Sequence, residues 1–213
     1  MKIKRLPVGR GNLEKAPERV NQKVTLRPER APWRTPREPL CCAAVPRIVS
    51  DQIEVYVFRR RGRKVEFLTL RRAPGRTLPH VWQPITGKLK RGEQALDGAR
   101  RELSEETGLE PTRWWALETV TVYFDPGRGV IHMLPMFVAQ VGAKDRPRLS
   151  AEHDAWRFLS ARAAAQRYVW RSQVRALEAV RDEVLAGGRR ARVLEVTERM
   201  RRGGARRRPR GGG

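Results

Sequence analysis

The chain has 213 residues, enough for one well-buried domain with extensions and too few for two large ones. Its 46 Lys and Arg against 23 Asp and Glu leave a formal charge of +23, which favours polyanionic partners such as nucleotides, nucleic acid or acidic surfaces. The two cysteines, Cys41 and Cys42, are adjacent, which excludes a disulfide framework and four-ligand zinc spacing. No apolar run approaches the ~20 residues that cross a bilayer, so a cytoplasmic location away from membranes is expected.

From the start to residue 46, prolines at 7, 17, 28, 32, 36, 39 and 46 alternate with charged residues and leave no apolar period, so residues 1–46 read as an extended basic arm. A core is expected over 47–187. It opens with a hairpin: Ile53, Val55 and Val57 alternate with Glu54, Tyr56 and Phe58, and Val65 to Leu70 follows the turn-prone Arg60-Arg61-Gly62-Arg63. Val81 to Thr86 reads as a short strand, and Glu93 to Thr107 as a helix closed by Gly108. Strands are expected at Trp114 to Phe124 and Ile131 to Val141, joined by the Asp125-Pro126-Gly127 turn, and at Trp156 to Leu159. Ala161 to Ala186 is helical in character, with Val174, Leu177, Val180 and Val184 three or four residues apart. Residues 188–213 carry 10 basic and 2 acidic residues and read as a basic Arg/Gly-rich tail, mobile from Arg199 on. The order of elements predicts an α/β (α+β) sandwich flanked by disordered basic tails.

The chemistry concentrates between Gly87 and Leu109. On a helix Glu102 lies three and four residues before Glu105 and Glu106, so the three carboxylates converge on one face, while Leu96, Ala99 and Leu103 form an apolar stripe that packs on a sheet. Like charges at that spacing destabilise an isolated helix, and a hard divalent cation relieves the repulsion. Magnesium suits the site because it shares its shell with substrate phosphates and lowers the pKa of an attacking water; manganese is a substitute.

These residues resemble the Nudix box. Gly87, five residues, Glu93, seven residues, Arg101-Glu102, Leu103, Ser104, Glu105-Glu106, Thr107, Gly108 and Leu109 meet every constrained position of that pattern in order. The resemblance implies a mixed sheet between helices, an α/β/α sandwich. It also implies Glu105 and Glu106 as principal metal ligands, Glu102 as a further ligand or the base, the Gly87 carbonyl as an extra ligand, and a Glu93–Arg101 ion pair supporting the loop.

Val81-Trp-Gln-Pro-Ile-Thr-Gly87 and Glu152-His-Asp-Ala-Trp-Arg-Phe-Leu159 look like the corresponding stretches of bacterial dihydroneopterin triphosphate pyrophosphohydrolases. That likeness implies Glu152 as an additional ligand or base. It also makes a pterin or nucleoside triphosphate the expected substrate, with dinucleoside polyphosphates a related class. Trp82 fits either stacking on a flat heterocycle or core packing, and Arg71 and Arg72 fit either substrate phosphates or a solvated surface. His80, His132 and His153 are too scattered to suggest a metal cluster. The rival to catalysis is nucleic-acid binding through the basic tails, with the folded domain as scaffold or sensor.

Overall fold

A computed structural model of the protein describes residues 45–205; the expected arm and the last part of the expected tail lie, over 1–44 and 206–213, outside them. The strands are β1 (Arg47–Val49), β2 (Gln52–Arg61), β3 (Lys64–Arg72), β4 (Trp82–Gln83), β5 (Ile85–Lys88), β6 (Arg113–Asp125), β7 (Val130–Val141) and β8 (His153–Leu159). The helices are α1 (Ala95–Thr107), α2 (Ala161–Ala165), α3 (Arg171–Val180), α4 (Gly188–Leu194) and α5 (Thr197–Ala205), with a π-helical turn at Arg181–Leu185 after α3.

The expected hairpin is β2–β3, paired antiparallel from Phe58↔Phe67 to Arg61↔Lys64. Beyond Phe67 the two strands part. β3 turns to β8 and β4, while β5 takes its place beside the first half of β2, with Ile53 opposite Gly87. The other edge of β2 pairs in parallel with β7, which also pairs β6 antiparallel and β1 in parallel. This mixed eight-stranded sheet agrees with the expected class.

Apolar clusters lie on both faces of β2. Ile53, Val55 and Val57 point to one, with Ala99 and Leu103 of α1 and Met200 of α5; Tyr56 and Phe58 point to the other, with Ala164, Leu177, Val180 and Val184. Alternation in β2 therefore separates two cores. The polar residue in that run, Glu54, is buried and accepts from Tyr56 Oη at 3.1 Å and Thr121 Oγ1 at 2.8 Å, satisfying a group that burial alone makes costly.

Four expectations change. The Val81 to Thr86 strand is two strands, because Pro84 cannot donate to a ladder. The helix at Glu93 starts at Ala95, since the Glu93 carboxylate accepts from the Lys90 amide at 2.9 Å and from Arg101, which holds Glu93 in the preceding loop. The helix expected over Ala161 to Ala186 is interrupted at 166–170, where Tyr168 is buried and bridges Trp82. The folded region does not stop at residue 187: α4 and α5 pack on the domain. The Trp114 amide donates to Thr197 Oγ1 at 3.0 Å, the Val196 amide to the Trp114 carbonyl at 2.8 Å, Arg113 clasps Glu195, and Met200 is buried. Sequence patterning does not reveal this because the segment's arginines mask its few apolar anchors.

Candidate active site

The parting of β2 and β3 leaves Gly87, on β5, facing the middle of α1. The approach is so close that a Cβ at residue 87 would overlap the Glu102 side chain, so a larger residue there would displace that carboxylate. α1 ends at Gly108, whose left-handed φ of 62° closes the helix through its amide and the Ser104 carbonyl. Buried Ala99 and Leu103 set the helix's rotation; Glu106, three residues after Leu103, continues their buried stripe, and Glu102 and Glu105 lie on the flank beside it.

Arg101 organises this acidic face. Its Nε and Nη2 each donate to Glu93 at 2.8 Å, its Nη2 also to the Lys88 carbonyl at 2.9 Å, and its Nη1 to Glu102 at 2.7 Å and Glu105 at 2.9 Å. The Arg101 hydrogen bonds, first among several causes, hold the Glu93 carboxyl down to about 2. Glu105 is half exposed and also meets Lys90 Nζ at 3.6 Å. Glu102 is mostly covered, and burial raises its pKa.

Glu106 differs. It is 4% exposed, and one of its oxygens, Oε2, has no hydrogen-bond partner. Burial first, then the charges of Glu102 and Glu152, push its carboxyl up to about 9, against the lowering effect of Arg72. Glu105 and Glu106 also occupy the last turn of α1, at the negative end of the helix dipole, and that turn holds no basic residue.

β8 and the loop before it bring up the second half of the site. The Ser150 amide donates to the Glu106 carbonyl at 3.2 Å and the Arg148 amide to that of Thr107 at 2.8 Å, tying this loop to the end of α1. Glu152 follows and pairs with Arg76 at 3.6 Å. His153, on β8, places Nδ1 3.7 Å from Glu106 Oε2. Both its ring nitrogens are buried without partners, and burial, then the charge of Arg72, lowers its pKa to about 4.

The residues singled out for substrate separate. Arg71 is committed to Asp154 through bonds of 2.7 and 3.1 Å. Arg72 donates to the Thr77 carbonyl at 2.6 Å, with its charge acting on Glu106 and His153. Trp82 is half-buried between Arg71 and Tyr168 on neighbouring segments. His153 and Arg76 were not among the expected site residues; the adjacency of His153 to Glu152 was the one signal available for it. Among the described residues no three His, Cys, Asp or Glu side chains already stand at metal-ligand spacing, because Arg101 and Arg76 hold the carboxylates. The donor set nevertheless suits a hard cation: an unpartnered buried carboxylate oxygen, flanking carboxylates, and a helix end that lacks positive charge.

Residues 51–180 match the NUDIX domain. The chain belongs to the NUDIX family. Among curated relatives, it is 36% identical over 108 residues to the asymmetrical bis(5'-nucleosyl)-tetraphosphatase of Rattus norvegicus, covering 48% of this chain and 69% of that one. To the Sus scrofa tetraphosphatase it is 33% identical over 122 residues, covering 52% and 78%. It is 31% identical over 122 residues to a Myxococcus xanthus octanoyltransferase, covering 54% of this chain and only 32% of that protein. A C. elegans Ap4A hydrolase binary complex superposes with TM-score 0.57 at 22% identity, over 65% of this chain and 100% of the other. The E. coli dihydroneopterin triphosphate pyrophosphohydrolase does so with TM-score 0.51 at 21% identity, over 67% and 99%. At these identities the structural likeness concerns the NUDIX fold.

Proposed function

We propose that the protein is a magnesium-dependent hydrolase that cleaves a diphosphate linkage in a nucleotide-like substrate. The observation that carries this reading is Glu106, buried, with an unpartnered oxygen, beside Glu102 and Glu152 in the last turn of α1. Glu102, Glu105, Glu106, Glu152 and the Gly87 carbonyl are the groups to hold the metal, and Mn2+ would serve in place of Mg2+. When bound, the ion neutralises phosphate oxygens and activates water. Glu93 and Arg101 support the loop. Arg101 restrains Glu102 and Glu105, so binding a cation involves loosening those hydrogen bonds. We assign acceptance of the water's proton to Glu102, Glu106 or Glu152, and Arg72, whose charge acts on Glu106, to a substrate phosphate.

Among substrates, a dinucleoside tetraphosphate comes first. The tetraphosphatase relatives are 33% and 36% identical and are each matched over more than two thirds of their length. Nucleoside triphosphates and dihydroneopterin triphosphate complete the panel. Trp82 is the aromatic side chain we assign to the heterocycle, and Arg71 acts by fixing β8 through Asp154. The test is phosphate and nucleotide release from each substrate with and without Mg2+, for the wild type and Glu106→Gln. The expected outcome is metal-dependent release reduced by about a hundredfold or more in the variant. Equal rates in both proteins would remove the site.

A further inference from the structure

We propose that the face formed by the β2–β3 turn and the α2–α4 helices is a binding surface for single-stranded nucleic acid, separate from the candidate active site. This inference is independent of the hydrolytic reading.

The turn presents Arg60, Arg61, Arg63 and Lys64, all exposed, and none makes a salt bridge among the described residues. Arg61 and Lys64 stand directly opposite each other across the hairpin, a like-charge cross-strand pair that destabilises the turn until an anion screens it. On one side of the turn lies a hollow of about 180 Å³, with Phe58 and Trp115 in its lining and Arg60 and Arg192 beside them. On the other lies a hollow of about 310 Å³ lined by Val65, Phe67, Val174, Leu177 and Glu178, with Arg162 and Arg181 beside them. Leu185 borders both hollows, and Arg60 and Val65, paired across the hairpin, line one each, so the hollows flank the end of the hairpin. One helical turn before Val174, Trp170 is 48% exposed, between the exposed Arg167 and Arg171.

The surface thus offers planar guanidiniums for phosphates, apolar hollows, and an exposed indole for flat rings. An acidic peptide would use the charges but not the aromatic face, whereas a single strand uses all three. The turn is also remote from the acidic face of α1: from Ile53, opposite Gly87, to Arg61 is eight residues of extended strand, about 26 Å at ~3.3 Å per residue.

The test uses the full chain and fluorescent 20-nucleotide oligouridylate and oligothymidylate, with binding followed by anisotropy across a salt series. The combined Arg60→Gln, Arg61→Gln, Arg63→Gln, Lys64→Gln variant should bind at least tenfold more weakly at low salt. Its slope of log affinity against log salt should fall by about 0.7 for each phosphate that is no longer neutralised. Trp170→Ala should weaken binding by about tenfold with the slope unchanged. Nucleotide hydrolysis should be the same in the turn variant as in the wild type, which keeps failure here distinct from failure of the active-site reading. If the turn variant does not fold, Arg162→Gln with Arg192→Gln replaces it, with the same expectation. Unchanged affinity in a folded variant overturns the proposal, as does competition by polyglutamate as effective as that by unlabelled oligonucleotide.

Discussion

Glu106 and Glu93 lie on one site and titrate in opposite directions, which gives each a distinct signature. With no cation bound, the Glu106 carboxyl at about 9 keeps its proton across the range where the unfolded chain, near 4.5, has released it. Folding stability therefore falls as pH rises from about 4.5 to 9, and Glu106→Gln removes that loss. In metal-free buffer the variant should melt above the wild type at pH 8, with the gap closing toward pH 5. Glu93, held to about 2 by Arg101, has the reverse sign. Its contribution is complete above about 4.5 and disappears as pH falls through 2, so urea titrations should show the wild type's advantage over Glu93→Gln shrinking through that acid window. Sequence spacing was enough to bring the three glutamates of α1 to one flank. It did not show that one of them is buried and unpartnered while Arg101 takes the other two, because burial is set by β5, β8 and the loop at 142–152, all distant in sequence.

At the scale of elements, α5 is the piece whose removal should be felt most. Met200 is 4% exposed and joins Ala99, Leu103 and Trp114 in the core under α1. Met200→Ala should lower stability by roughly 2–5 kcal/mol in thermal or urea denaturation, the range for large-to-small core changes. Val193, on α4 and 73% exposed, serves as the control, and Val193→Ala should stay within about 0.5 kcal/mol. The hairpin, α1 and the β6–β7 pair were legible from sequence because each combines a clear period with a turn or stop residue. α4 and α5 were not: their stretch carries many arginines and, among the described residues, only Ala191, Thr197 and Met200 buried, so their stability comes from docking against β6 and α1 rather than from local pattern.

For the whole molecule, the functional reading makes the metal a stabilising ligand. A cation that binds the folded protein alone adds about 2.7 kcal/mol at a hundred times its dissociation constant. Adding Mg2+ should therefore raise the melting temperature of the wild type and leave Glu106→Gln nearly unmoved, a measurement that needs no substrate. An equal rise in both would assign the stabilisation to general ionic screening of a chain with formal charge +23.

Sequence alone determined the family pattern from Gly87 to Leu109, the α/β class and the convergence of Glu102, Glu105 and Glu106, since all three follow from residue identity at fixed local spacing. Tertiary structure decided what spacing cannot encode. It placed Glu152 and His153 beside the end of α1, set Arg76 against Glu152, and extended the fold through α5. These arrangements join residues tens of positions apart, and the burial and charge they create depend on which surfaces the chain brings together.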